Sequence, residues 1–168
     1  TPGATSTRLQ ALYYDTPDRR LALAGIALRL RKEGRRWVQT LKCGPAHGMA
    51  RGEHNVVLPG GRGVPVLDPA RHAGTPPGAA LAAALDAGAP PLAVQYRTDI
   101  RRTHRPLRSR RGTVELALDV GESVGGDADG ALRGPGCALE VELLRGAPRA
   151  VTEVAGRFAA HFVVRSNR

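Results

Sequence analysis

Apolar and polar side chains alternate along several short segments of the chain. In residues 26–31 the leucines fall on one side and the arginines on the other, and residues 37–42 repeat this alternation after a turn at Gly34. A period of two is typical of a β-strand, so these two segments predict a hairpin. The same pattern predicts further strands at residues 9–14, 51–58, 92–103, 113–120 and 138–144.

Two segments have helical character instead. Residues 78–88 are rich in Ala and Leu and end at Gly88, while residues 148–162 carry an apolar stripe that includes Val151, Val154 and Phe158. Residues 21–25 predict a short helix or turn, and the Gly- and Pro-rich residues 60–77 predict a loop. Strands in hairpins with two main helices indicate an α+β fold with an antiparallel sheet or barrel.

The length and composition fit one domain over residues 1–168. Hydrophobic residues make up 42%, which excludes a wholly disordered chain. Cys43 and Cys137 form no framework, so a reducing, cytoplasmic location is expected. No apolar run reaches the roughly 20 residues of a membrane span, and no membrane association is expected. The chain starts without Met, and we expect it to be truncated at both ends.

The chain is strongly basic. Lys and Arg number 25 against 15 acidic residues, and 23 of the 25 are Arg. Arginine presents a planar fork to phosphate oxygens, so the excess points to an anionic partner such as a polyphosphate, nucleotide, nucleic acid or membrane surface. A GC-rich bacterial genome would also enrich Arg, and that explanation stays open.

The charges are sorted by strand. The side chains that occupy the polar strand faces are Arg29, Arg31 and Lys42 on the first hairpin, and Glu115, Asp119, Glu140 and Glu142 on two later strands. Residues two apart on a strand face lie about 7 Å from each other, so paired carboxylates could share Mg²⁺ or Mn²⁺ and paired arginines could bind successive phosphates. A solvated sheet face would show the same alternation, and this alternative is kept.

Four motifs, in order, resemble the CYTH family, also called triphosphate tunnel metalloenzymes. They are YYDTPDRR followed by RLRK and VQTLK within residues 13–42, RGEHNVVL at 51–58, VELALDVGE at 114–122 and LEVELLRG at 139–146. The resemblance implies a closed, eight-stranded antiparallel barrel that forms a tunnel with flanking helices. The family's first strand, with its ExExK motif, has no counterpart here, so we expect the first strand to be missing and this chain alone to be impaired.

The resemblance also implies roles for individual residues. Substrate phosphate would contact Arg29, Arg31, Lys42 and Arg102, with Arg101 as the competing choice for the last position. Catalytic roles would fall to Lys42, Arg102 and Tyr13. Mg²⁺ or Mn²⁺ would be held by Glu140, Glu142, Asp119, Glu115 and Glu53. At the position of the family's next acid, the chain has Asn55.

Metal-dependent hydrolysis of inorganic triphosphate is the function that the residues and the resemblance favour. Adenylate cyclase or thiamine triphosphatase activity, acting on a nucleoside or thiamine triphosphate, is the alternative within the fold. A non-catalytic module that binds polyphosphate or nucleic acid is the alternative outside enzymes. Nucleic acid is disfavoured because aromatic residues are only 4% and cannot form a stacking platform. A homodimer is left open, and Trp37 is expected in the core.

Overall fold

The computed structural model describes residues 3–44, 52–125 and 132–159. The strands are β1 (Thr5–Asp15), β2 (Ile26–Glu33), β3 (Arg36–Cys43), β4 (Gly52–Leu58), β5 (Ala93–Ser109), β6 (Gly112–Gly125) and β7 (Leu132–Gly146). The helices are α1 (Arg20–Leu23), α2 (Pro76–Ala84) and α3 (Arg149–Ala159), with a 3₁₀ helix at Pro69–His72.

The described strands form one seven-stranded sheet. Its hydrogen-bonded order is β4-β3-β2-β1-β5-β6-β7, and the β1–β2, β2–β3 and β3–β4 pairs are antiparallel. The sequence predicted a closed barrel of eight strands. Among the described residues β4 and β7 end the order without pairing to each other, so the α+β antiparallel sheet is confirmed and closure is not.

The chain divides into two compact units. The larger unit comprises Leu9–Asp99 and Glu122–Gly134, and the smaller unit comprises Thr1–Arg8, Ile100–Gly121 and Pro135–Arg168. Each unit has its own hydrophobic core.

In the larger unit, the alternation of β2 separates a core face from a charged face. Leu28 and Leu30 are buried, while Arg29 and Arg31 are half-buried. The core face packs under the helices, with Leu28 contacting the cluster around Leu81 of α2. Trp37 packs with Leu30 in a second cluster, which confirms its predicted place in the core.

The Asp-Thr-Pro turn after β1 is held by the buried Asp15. Its carboxylate accepts hydrogen bonds from the backbone amides of Thr16 at 2.8 Å, Leu21 at 2.9 Å and Ala22 at 3.0 Å. The amides of Leu21 and Ala22 lie in the first turn of α1, where backbone amides have no partner within the helix. The turn therefore fixes the end of β1, where Tyr13 lies.

In the smaller unit, α3 covers one face of the sheet. Val154 and Ala150 pack on Val114, together with partly buried residues of β5 and β7. The sequence placed Leu118 and Val120 on the same apolar face as Val114, but they are 40% and 51% exposed. The described part of α3 covers Val114 and leaves these two residues in contact with solvent.

Several predicted boundaries change. The predicted loop 60–77 contains the 3₁₀ helix, and α2 begins earlier than expected, at Pro76, where the Thr75 hydroxyl accepts the amide of Gly78 at 3.1 Å. β1 begins at Thr5, earlier than the predicted start at Leu9, and β5, β6 and β7 are each longer than predicted. Arg51 of the predicted fourth strand and residues 160–162 of the predicted last helix lie outside the described residues.

A search of the described helices finds none with the length and apolar character needed to cross a bilayer.

Candidate functional site

The charged face of the larger unit carries a group of side chains that we call the Arg29 cluster: Tyr13, Arg29, Arg31, Thr40, Lys42, Glu53 and Asn55. Strand pairing explains the grouping. Arg29 lies opposite Tyr13 of β1 and Thr40 of β3, and Lys42 lies opposite Glu53 of β4. Directly paired residues point to the same face of a sheet, so four consecutive strands each contribute to one surface.

Arg29 is the half-buried cation of this cluster. Its Nη1 donates to the Tyr13 hydroxyl at 3.1 Å, and its guanidinium carbon lies 5.9 Å from the centre of the Tyr13 ring. Its Nε is buried and has no hydrogen-bond partner among the residues that the structure describes. A buried donor without an acceptor is costly, and an anionic ligand oxygen would satisfy it.

Tyr96 of β5 adds an aromatic surface that the sequence did not single out. Its ring stacks on Tyr13 with centres 4.3 Å apart and an angle of 11°. Burial, with a smaller contribution from Tyr13, raises the pKa of Tyr96 to about 12, although Arg29 opposes this. The Tyr96 hydroxyl is therefore neutral at physiological pH. Tyr96 is 39% exposed, and its ring lies on Tyr13, the hydrogen-bond partner of Arg29.

Lys42 is engaged by Glu53. The ammonium lies 3.3 Å from Glu53 Oε2, while Asn55 donates to Glu53 Oε1 at 2.9 Å and accepts from the Thr40 hydroxyl at 2.7 Å. Burial alone would raise the pKa of Glu53, but the Asn55 hydrogen bond and the charges of Lys42 and Arg29 lower it. Glu53, predicted as a metal ligand, is thus an ionised partner of Lys42.

Arg31 pairs along its own strand. Its Nε donates to Glu33 Oε1 at 2.6 Å, and its Nη2 also contacts this oxygen. Residues 31 and 33 face the same side of β2, so the spacing alone would have suggested the pair.

The smaller unit holds a second group, the Arg102 cluster: Arg102, Asp119, Glu140 and Glu142. Arg102 donates from Nε and Nη2 to the two oxygens of Asp119, each at 2.7 Å, and from Nη2 to Glu140 at 2.8 Å. The Asp119 hydrogen bonds, more than the nearby Glu140 charge, raise the pKa of Arg102 above its ordinary value against the effect of burial. Asp119 is buried, whereas Glu140 and Glu142 are exposed.

Two other predicted residues of this unit lie apart from these contacts. Glu115 lies 3.1 Å from His104 Nδ1, with which it forms a separate pair. Arg101 is exposed, and neighbouring residues of a strand point to opposite faces, so it does not share the side of Arg102.

Glu140 and Glu142 are the carboxylates of the Arg102 cluster that could hold a divalent cation. Among residues 3–44, 52–125 and 132–159, no three His, Cys, Asp or Glu side chains gather into a complete metal cage. Both oxygens of Asp119 are already bonded to Arg102. Glu140 and Glu142 remain as two exposed acids at strand spacing, and Mg²⁺ is commonly held by one or two carboxylates plus substrate phosphates and water.

Comparison with known proteins identifies the family of this chain. The described residues form an α+β fold built on a seven-stranded sheet. The model of the CYTH domain matches residues 3–161, and the chain belongs to this family.

Solved structures support the fold. A proposed adenylate cyclase from Bacillus halodurans has 16% identity and a TM-score of 0.54, over 97% of this chain and 80% of that one. A proposed adenylyl cyclase from Hippeastrum, described as having a dominant triphosphatase activity, has 15% identity and a TM-score of 0.56, over 94% and 74%.

Proposed function

We propose that this chain acts as a metal-dependent triphosphatase on inorganic triphosphate. The observation that carries the proposal is the buried Nε of Arg29, which has no hydrogen-bond partner within residues 3–44, 52–125 and 132–159. The donor faces the charged side of the sheet, beside the half-exposed Lys42 and the Tyr13 hydroxyl. A tetrahedral phosphate offers oxygens that would satisfy this donor and neutralise the cluster.

The Arg29 cluster would bind the phosphates. Arg29 and Lys42 would contact phosphate oxygens and stabilise the charge that develops as the phosphoanhydride bond breaks. Tyr13 would orient Arg29 through the 3.1 Å hydrogen bond. Arg31 would join when it exchanges Glu33 for a phosphate, because both members of this ion pair are partly accessible to water, which weakens the pair.

The Arg102 cluster would supply the cation site and a further arginine. Glu140 and Glu142 would hold Mg²⁺ or Mn²⁺, which when bound orients the phosphates and activates water. Asp119, bonded through both oxygens, would position Arg102 rather than bind metal. Arg102 would contact phosphate in preference to Arg101.

Two further points support the proposal. The family match extends over nearly the whole chain, and the Hippeastrum relative is described as a triphosphatase.

Phosphate release from inorganic triphosphate tests the function, with Mg²⁺ or Mn²⁺ and with EDTA. Arg29→Ala should lower kcat/KM at least tenfold, whereas the matched control Arg36→Ala, an exposed arginine on β3, should change it less than twofold. Glu142→Gln should weaken metal activation, and Glu153→Gln should not. Activity that survives EDTA, or an Arg29→Ala variant equal to wild type, would overturn the proposal.

If the chain alone turns over too slowly, the same variants are compared for triphosphate binding by calorimetry. Arg29→Ala should then raise the Kd at least tenfold relative to Arg36→Ala. Equal affinities in the two variants would contradict the assigned role of Arg29.

A second candidate function is favoured by the aromatic pair. Tyr96 stacks on Tyr13, which contacts Arg29, so an aromatic group attached to a bound phosphate could contact the exposed part of Tyr96. A nucleoside or thiamine triphosphate would have that group. Tyr96→Leu should then raise KM for ATP or thiamine triphosphate more than for inorganic triphosphate, and an equal change on all three would exclude this candidate.

A further inference from the structure

A pocket of about 730 Å³ lies in the larger unit, away from the Arg29 cluster. It is lined by parts of β1, β2 and β5, by the turn at Gly34, by the glycine-rich segment near Gly63 and by the ends of β6 and β7. Trp37, 8% exposed, forms part of its wall. The volume is in the range that accommodates a small organic or phosphorylated ligand.

Four cationic side chains line this pocket: Lys32, Arg35, Arg97 and Arg133. Three are exposed and Lys32 is half-buried. Within the described part of the chain, none of the four has a carboxylate within ion-pair distance, in contrast to Arg20, Arg31, Lys42 and Arg102, which do.

Two carboxylates also line the pocket, so the cations outnumber them two to one. Asp99 accepts a hydrogen bond from Gln10 at 3.2 Å, which occupies it in part, and Glu122 is the other. Unpaired cations that converge on one cavity repel each other, and a bound anion would relieve that repulsion.

Strand pairing separates this pocket from the Arg29 cluster. Lys32 pairs with Gln10 of β1 and with Trp37 of β3. Each of these residues lies an odd number of positions along its strand from a member of the Arg29 cluster, namely Arg29, Tyr13 and Thr40. A one-residue offset places side chains on the opposite side of a strand. A phosphate held at Arg29 therefore does not contact Lys32 or Trp37.

We infer that this pocket is a second anion site, separate from the proposed triphosphate site, that binds a phosphate-bearing ligand. The guanidinium groups of Arg97 and Arg133 supply bidentate contacts that match phosphate oxygens, and the ammonium group of Lys32 adds a third positive charge. The site takes either a short inorganic polyphosphate or the phosphates of a nucleotide. It does not depend on the proposed hydrolysis.

Trp37 provides the readout, because it is the single tryptophan of the chain and lies in the pocket wall. Its fluorescence is titrated with inorganic triphosphate and with ATP, at constant ionic strength and with EDTA present. The test variant is Arg97→Glu with Arg133→Glu. The matched control is Arg145→Glu with Arg149→Glu, two exposed arginines of the smaller unit with the same change in net charge.

We expect a saturable fluorescence change in the wild type, with an apparent Kd that rises at least tenfold in the test variant and less than twofold in the control. Saturation by both ligands would mean that phosphate suffices, and saturation by ATP alone would identify a nucleotide. Arg29→Ala should retain the Trp37 titration, which separates this site from the proposed function. No saturable change, or equal weakening in both double variants, would overturn the inference.

Discussion

Both carboxylate oxygens of Asp119 accept hydrogen bonds from the Arg102 guanidinium, and both distances are 2.7 Å. This bidentate geometry is the strongest form of an arginine–carboxylate pair. Asp119 is only 8% exposed, so water competes little for its oxygens. The pair fixes the plane of the guanidinium, and the same Nη2 then reaches Glu140.

Asp119→Ala should lower the free energy of unfolding by about 2 to 3 kcal/mol, because it leaves a partly buried guanidinium without its main partner. Urea denaturation followed by circular dichroism measures the change. Glu153→Ala is the matched control, since its partners Arg111 and Arg157 are largely exposed, and its cost should stay within about 1 kcal/mol. Similar losses in the two variants would show that the Arg102 pair has no special strength.

Tyr13→Phe removes the hydroxyl that accepts from Arg29 at 3.1 Å and keeps the ring that stacks on Tyr96. We expect KM for inorganic triphosphate to rise about three- to tenfold, in line with one hydrogen bond to a charged group. Steady-state kinetics measures it.

Tyr96→Phe is the control for this change, because the stack is again preserved and no hydrogen bond to Arg29 is lost. Its KM should stay within twofold of the wild type. A parallel rise in both variants would assign the effect to ring packing and not to the Tyr13 hydroxyl.

The alternation of β2 was readable from the sequence because leucine and arginine differ so much in their preference for water. It predicted the core face, the charged face and the hairpin with β3. The partners within the charged face were less accessible. Tyr13 contacts Arg29, and Glu53 contacts Lys42, through the register of neighbouring strands, which no single segment encodes.

The boundaries of β5 show a different limit. Residues 101–111 contain six arginines, and charged runs of this kind are usually solvated. The structure continues the strand to Ser109 because alternate residues, among them Arg102 and His104, pair with acids of the smaller unit. Tertiary ion pairs thus stabilise a strand that local composition disfavours.

Buried His72 connects the 3₁₀ helix to the sheet through a hydrogen-bond network. Gln39 Oε1 accepts from Asp68 N at 3.1 Å and Arg71 Nη1 at 2.8 Å, so its amide nitrogen faces His72 Nε2 at 2.9 Å. His72 Nε2 must therefore accept, and its Nδ1 donates to His54 Nδ1, 2.9 Å away. If either imidazole of this pair gained a further proton, the new N–H would point at another N–H donor.

Acid should consequently destabilise the fold. Burial, and then repulsion from His54 and Arg71, lower the pKa of His72 below its ordinary 6.5, with Asp68 opposing. The unfolded chain then binds more protons than the folded one, so stability is full above about pH 6.5 and falls as the pH drops toward the lower folded value. The slope should approach about 1.4 kcal/mol per pH unit for one proton.

Urea denaturation between pH 5 and 7.5 measures this slope. His72→Gln should be less stable at pH 7 and show a flatter dependence on pH. Arg36→Ala, which removes an exposed side chain that stays charged throughout this pH range, should keep the wild-type slope. An unchanged slope in His72→Gln would exclude His72 as its source.

Gly146, the last residue of β7, is a position where a side chain should be poorly tolerated. Its φ is +112°, and a Cβ there would lie 2.5 Å from the Arg111 carbonyl oxygen and 2.6 Å from the Gly112 Cα. Both obstacles are backbone, so relief requires the strand ends to move apart. Gly146→Ala should lower the free energy of unfolding by about 2 to 4 kcal/mol. Gly156→Ala, in open space on α3, should instead stabilise by up to about 1 kcal/mol. Thermal unfolding compares the two, and a Gly146→Ala variant as stable as the wild type would show that the β7–α3 junction yields easily.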